Sequence, residues 1–470
     1  MAGSYQEGQS QTLSGVYSLI KAVLTQASGS TRGVLAVPFT ANWGPVNTLQ
    51  TLGRATEFDD KYGTKEGLAG IGGATSAQKV RTLAYKATPS QLLAYRMATG
   101  SATPGSATLA TGWTLQTVYP SDRAFIVTVK AGVANGTTAV QITEAGVLLL
   151  TVEDSTVAGL QAKINASGIV KVTEAGAALP TTVASVAFTG GNNGATVTAT
   201  EYGAFLAEVE ADHTANGIAL DGTTDSAILA VLSTWVRRVR DEGLYITAAQ
   251  GGPTAWDSSL TTANAASLVL NYRGIINVGN GVDGYTAGEA AVYVASLVCS
   301  TALNAGVTDL ATPFKAVNVK SQLTRGNRTA AKNSGTLIFT MEGGQVLIDE
   351  GVNTLTTPIG DEVAPMGKIR VNNVLDYVNG SLEVFGNKYK QSKSNTQTAR
   401  QTYAATVEDT FFAGLARMEA IQPDYSYVEN PDYHGENPAQ AAKLDEAFFL
   451  GTYQPVDSME KIYNKYLVQF

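Results

Sequence analysis

Apolar positions along this 470-residue chain fall into short runs of two periods, and the runs alternate. TRGVLAVPF (Thr31 to Phe39) is an unbroken apolar run and predicts a buried strand; it enters the loop TANWGP, with Pro45 as breaker. Arg54 to Tyr62 predicts a short helix stopped by Gly63, Ser76 to Lys86 another, and Gln91 to Met97 a second strand. Between Asp225 and Glu242, Ile228, Leu229, Leu232, Trp235, Val236 and Val239 recur at helical spacing. Asp225 or Ser226 caps that helix and Gly243 ends it. Glu201 to Glu210 predicts a helix, LYITAA and GIINV predict strands, and Ala287 to Asn304 predicts an apolar helix stopped by Gly306. Helices alternating with buried strands imply a sheet covered by helices.

Two regions depart from that texture. Residues 100–188 are rich in Thr, Val, Ala and Gly with short alternating runs, and predict an inserted all-β domain with one short helix at Val157 to Ala166. VQITEAGVLL and VKVTEAGAAL, thirty residues apart, read as two similar hairpins; two copies are too few for a solenoid. TGGNNG (Thr189 to Gly194) reads as a flexible junction back to the core. After Gly343, VLIDEGVNTLTT predicts a hairpin. Val374 to Lys390 and Thr396 to Ile421 predict helices, the second with Tyr403, Val407, Phe411, Leu415 and Met418 on one stripe. Gln422 to Pro438 reads as a loop. In the tail, Ile462, Tyr466, Val468 and Phe470 fall on one face of a strand and Lys461, Lys465 and Gln469 on the other, with Tyr463 and Leu467. A strand with one apolar face needs a sheet to join, in its own subunit or another. The predicted fold class is α/β and α+β multidomain: a helix-covered sheet core, an inserted all-β domain, and an α+β C-terminal domain with extended terminal arms.

Composition narrows the function. Charged residues are 15% and hydrophobic residues 44%, with 48 glycines, so the surface is short of charge and suited to packing against protein. The net charge is −8 and no basic block occurs, which removes the electrostatic footprint of a nucleic-acid binder. The longest apolar stretch, Ala290 to Leu303, is short of the ~20 residues of a membrane span, so no membrane insertion is expected. Cys299 is the only cysteine. The opening residues show neither the basic nor the apolar part of an export signal, so the expectation is synthesis in the cytoplasm and release by lysis.

Candidate chemistry is sparse. GNGVDG (Gly279 to Gly284) fits G-x-G-x-x-G after a strand and before a helix, with Asp309 near the distance of a ribose-binding acid, but Tyr285 and Thr286 separate the glycines from the helix. His213 and His434 are the only histidines, and Asp212 is adjacent in sequence to His213, poor geometry for a triad. Asp59–Asp60 and Asp361–Glu362 read as solvated faces or turns. No Cys/His cluster or calcium loop is present, so no metal, cofactor or catalytic residue is assigned.

An ordered set of segments resembles contractile-tail sheath proteins of phages, phage-derived bacteriocins and related injection machines. The set is TRGVLAVPFTANWGPVNTLQTL with ATEFDDKYG, SVAFTGGNNGATVTATEYGAFL, STWVRRVRDEG, NVLDYVNGSLEVFGNKYKQSKSNT, and GTYQPVDSMEKIY with the family's Q-P-V-x-x-M-E-K-I-Y pattern. The tail runs on past Tyr463 with NKYLVQF, longer than in many members. The resemblance implies a subtilisin-like but catalytically inert core and no enzyme activity. It divides the chain into an N-terminal linking arm (1–22), a core (23–99 with 189–345), the insert (100–188), a C-terminal domain (346–452) and a C-terminal linking strand (453–470). It further implies hexameric rings of identical copies stacked helically around a tail tube protein, with baseplate and tail terminator proteins as partners, in a virion or phage-tail-like particle. Inter-subunit linking would fall to Val16, Tyr17, Leu19, Ile20, Val456, Met459, Ile462, Tyr463, Tyr466, Val468 and Phe470. Two readings stand beside it: another self-assembling surface or adhesin-type protein, and a subtilisin-like hydrolase.

Overall fold

The computed structural model describes residues 32–63 and 75–465, together with a parallel pairing of Ala2–Gly3 with Val16–Tyr17. The fold is mixed α/β and multidomain. One unit holds residues 31–376 and the segment from Asp457 onward; the other holds residues 377–456 with the N-terminal pairing.

The larger unit is built on a seven-stranded sheet ordered Thr336–Leu337, Ile275–Val278, Thr247–Gly251, Gly217–Ala219, Val34–Phe39, Gln91–Arg96, Leu49–Leu52. All neighbours are parallel except Leu49–Leu52, antiparallel at one edge. Side chains of a strand alternate between faces. Leu35, Val37 and Phe39 therefore enter one apolar cluster with helices Ala55–Tyr62, Ala77–Tyr85 and Ala287–Ser300. Val34 and Ala36 enter a second, beneath Ala199–Asp212 and Ser226–Asp241. A sheet covered on both faces has no solvent side, which is why VLAVPF shows no polar alternation. Asp225 does cap its helix, accepting from the N–H groups of Ala227 and Ile228, and Gly63 ends Ala55–Tyr62 in the left-handed conformation.

Within the same unit, residues 106–187 form a four-stranded antiparallel sheet (Val147–Asp154, Thr138–Glu144, Phe125–Ala131, Val183–Ala187) and a three-stranded one (Val170–Glu174, Trp113–Thr117, Ser106–Leu109). Their core centres on Trp113, Leu115, Phe125 and Val127, and helix Val157–Asn165 adds Leu160 and Ile164. Only the first TEAG segment makes a hairpin, turning at Ala145 and Gly146, both at positive φ. The second does not: Val170–Glu174 pairs with Trp113–Thr117 instead. There Gly176 packs so closely on Trp113 that a Cβ would lie 2.1 Å from the Thr111 carbonyl oxygen.

TGGNNG is a bonded seam rather than a flexible junction. Thr103 bridges Asn192, Ser106 bridges Thr189, and a Cβ on Gly191 would lie 2.0 Å from the Ser121 carbonyl oxygen. Buried Arg96 ties the seam together, donating to the carbonyls of Gly44 (2.7 Å), Pro120 (2.8 Å) and Asn193 (3.2 Å). Trp43 of TANWGP leaves the sheet's core and packs edge-on against Tyr119 and Phe125, ring centroids 5.3 and 5.6 Å away. The predicted hairpin over VLIDEGVNTLTT is displaced: Gln345–Ile348 pairs backwards with Phe339–Glu342 across Gly343 and Gly344, both at positive φ.

The smaller unit carries the rest of helix Ile369–Lys390, then Gln397–Thr406, a π-helical turn Val407–Phe412 and Ala413–Arg417. Buried Phe412 meets Phe411, Tyr425, Tyr427 and Tyr453. The stretch predicted as a loop contains a strand, Ser426–Glu429, antiparallel to Phe449–Thr452.

Candidate assembly interface

The enzyme-like signals are structural. In GNGVDG the backbone N–H groups that would cradle a phosphate are already bonded: Gly281 to Asp257 (2.6 Å), Asp283 to Ala316 (3.0 Å) and Gly284 to Asn318 (2.9 Å). The helix that follows opens on its own capping box, Thr286 with Glu289, so a carboxylate already stands at its N-terminus. Asp309 sits beside Asp349 and Arg328, its pKa raised by burial and by Asp349. His213 caps a helix in the left-handed conformation with Nδ1 3.1 Å from the Glu210 carbonyl oxygen, and His434 Nε2 accepts the Phe448 N–H at 3.0 Å. Cys299 is buried, and burial pushes its thiol up to about 11. Among the described residues no His, Cys, Asp or Glu group could hold a metal, and no helix is long and apolar enough to cross a membrane.

What the chain offers is backbone edge and exposed apolar surface. The ribbon of Ser426–Glu429 and Phe449–Thr452 pairs Tyr427 with Gly451 and Val428 with Leu450. Tyr427 is buried and its ring stacks on Phe449 at 5.5 Å; Val428 and Leu450 are exposed on the opposite face. The Tyr427 N–H is taken by Glu408 Oε2 at 3.1 Å, which caps that side of the ribbon. The outer edge of Phe449–Thr452 has no strand beside it among the described residues. An edge of that kind accepts an added strand. At its start lies a cavity of about 400 Å³ whose lining includes Tyr389, Lys393, Arg400, Tyr403 and Phe449.

The tail leaves the ribbon through Pro455, bridged to Ile421, and Val456, whose N–H donates to the Ala420 carbonyl at 3.0 Å. Val456 is thus tied to its own subunit. Residues 456–465 form no strand in the single chain, because a strand exists only with a ladder partner and none is present among the described residues. Met459, Ile462 and Tyr463 are 83%, 70% and 87% exposed, too much apolar surface for a segment with no further contact. Val16 and Tyr17 pair with Ala2 and Gly3. Leu19, Ile20, Tyr466, Val468 and Phe470 lie outside the described residues. Sequence reasoning passed over Asp457, Ser458 and Glu460, which side chains of the larger unit hold; the only signal was their place inside QPVDSMEKIY.

Residues 195–354 match the family model of the phage tail sheath protein central domain, and residues 361–468 that of the phage tail sheath C-terminal domain. Together the two spans make up more than half of the chain. This chain belongs to the contractile tail sheath family. A tail sheath protein of Clostridium phage phiCD119 is 23% identical over 49% of this chain and 65% of its own length, just under two thirds of that relative. The phage-like element PBSX protein XkdK of Bacillus subtilis is 24% identical over 98% of both chains. The solved sheath tail protein of Desulfitobacterium hafniense superposes with a TM-score of 0.72 at 23% identity, over 94% of this chain and all of that one. The anti-feeding prophage helical sheath in its contracted state gives a TM-score of 0.53 at 10% identity, over 98% of this chain and all of that one. The sheath fold thus extends over nearly the whole chain, the region between residues 106 and 187 included.

Proposed function

We propose that this chain is the repeating subunit of a contractile sheath, and that its work is mechanical rather than catalytic. Copies form hexameric rings stacked helically around a tail tube, with baseplate and tail terminator proteins at the ends. The particle is assembled in the host cytoplasm and released by lysis. The core is a subtilisin-like sheet without a working triad. The observation that carries the reading is a complementary pair within one subunit: a tail on which Met459, Ile462 and Tyr463 are exposed, and a strand edge at Phe449–Thr452 that has exposed apolar neighbours and no strand beside it among the described residues. In an array of identical copies, each tail adds to the edge of a neighbour.

Strand addition suits a lattice that has to move. A ladder hydrogen bond contributes ~0.5–1.5 kcal/mol net, whereas ordering a residue costs ~1–2 kcal/mol. One link is therefore weak, and many links per subunit hold the lattice while rigid bodies rotate. Contraction is a switch between two discrete packings of the same surfaces, released at the baseplate, and it needs no nucleotide and no covalent step. Removal of residues 461–470 tests the reading: the expected product is a folded subunit that forms no tubes, and normal tubes from that variant would refute strand donation.

A further inference from the structure

The tail does not leave its subunit freely. After passing through the smaller unit the chain returns to the larger one at Asp457, where side chains rather than a backbone ladder hold it. Lys368 Nζ stands 2.7 Å from Asp457 Oδ2 and 2.6 Å from Glu460 Oε2. Thr308 Oγ1 donates to Glu460 Oε1 at 2.9 Å, and Arg370 Nη1 to Ser458 Oγ at 2.9 Å. Gly306 leaves room for Ser458: a Cβ there would lie 2.5 Å from its Oγ. Three polar side chains of the tail thus face the subunit while Met459, Ile462 and Tyr463 face outward. Burial alone would lower the Lys368 pKa, and the hydrogen bonds it donates to Asp457 and Glu460 outweigh it, holding the ammonium above its ordinary value.

We propose that Lys368, Thr308 and Arg370 form a latch in cis that keeps residues 457–460 on their own subunit and sets residue 461 as the start of the segment available to a neighbour. The latch fixes the register of donation, because side chains of a strand change face with every residue and a slip of one would turn the tail's apolar face the wrong way. It also takes load: a pull on the tail meets two ion-paired carboxylates before it reaches the two-stranded ribbon at residues 426–452. The role in donation rests on the sheath reading above; the latch itself is a property of the free subunit.

Limited trypsin digestion of the purified full-length chain, followed by intact mass, separates the two. Lys461 adjoins the latch, and Lys465 contacts none of its members and serves as the internal reference. Cleavage needs an extended, released segment, so cutting after Lys461 should lag cutting after Lys465 in the wild type. In Lys368→Gln and in Glu460→Gln the ratio of the two rates should rise about tenfold, the worth of a charge-assisted hydrogen bond. The exchanged pair Lys368→Glu with Glu460→Lys should return most of the lag. Equal cutting at both lysines in the wild type, or an unchanged ratio in both glutamine variants, would overturn the latch. Neither result touches strand donation, which the 461–470 deletion tests independently.

Discussion

Arg240 and Asp376 face each other through two hydrogen bonds, Nη2 to Oδ1 at 2.6 Å and Nη1 to Oδ2 at 2.9 Å, with both side chains buried. Arg240 sits near the end of helix Ser226–Asp241, and Asp376 is the last residue of the larger unit before the chain passes into the smaller one. Burial by itself would lower the Arg240 pKa, and the Asp376 carboxylate more than reverses this. Arg240 also donates to the Ile246 carbonyl at 2.9 Å, and Asn372 donates to Asp376 at 3.0 Å, so the pair is embedded in a bonded network. Removing one member leaves a buried charge unpaired. Asp376→Ala should cost about 3–5 kcal/mol, whereas Arg240→Met with Asp376→Leu should recover most of that loss. Urea denaturation of the three variants checks both; a single-variant cost below about 1 kcal/mol would mean that the pair does not hold this helix.

Asp221 gives the chain a pH dependence of definite sign. Ser76 Oγ and Tyr202 OH each donate to it at 2.7 Å, but desolvation dominates and raises its pKa. A carboxyl whose folded pKa is raised contributes stability that is fully present below its unfolded pKa, about 3.9, and is lost as pH rises through the folded value. Asp221→Asn has no charge to desolvate. The stability of that variant relative to wild type should therefore grow between about pH 4 and pH 7. Thermal melts across that range check it, and parallel profiles for the two proteins would contradict it.

Trp43 makes the region between residues 106 and 187 separable only with a repair. Trp43 is 7% exposed, and its ring meets Tyr119, Phe125 and the Arg123 guanidinium, the last 5.2 Å from the ring centroid. Deleting residues 101–188 uncovers that ring and removes the Pro120 carbonyl from Arg96. The plain deletion should aggregate, and the same deletion with Trp43→Ser should be soluble and still form rings. Electron microscopy of both variants checks this; a soluble repaired variant that forms no rings would place the insert in the ring contacts.

The helix-covered sheet was legible because its signals are local. Asp225 caps within three residues, Gly63 stops its helix by its own conformation, and VLAVPF declares a strand buried on both faces. What could not be read depends on residues far apart in sequence. Trp43 announces a buried aromatic, yet its pocket lies some 80 residues on. The second TEAG segment has the residues of a hairpin, yet Gly176 is wanted by Trp113 and its strand pairs elsewhere. TGGNNG reads as loose because glycines permit motion, whereas here they permit close approach of two chain segments. In the tail, the exposed Ile462 and Tyr463 were visible as an apolar pattern. The hold on Glu460 was not, since Thr308 and Lys368 lie 152 and 92 residues away.

Negative-stain electron microscopy of the purified full-length chain is the most direct test of mechanical self-assembly. Hollow tubes of stacked six-fold rings, formed without nucleotide, are the expected result. A chain that stays monomeric at every concentration, both alone and when co-expressed with a tail tube protein, would contradict it.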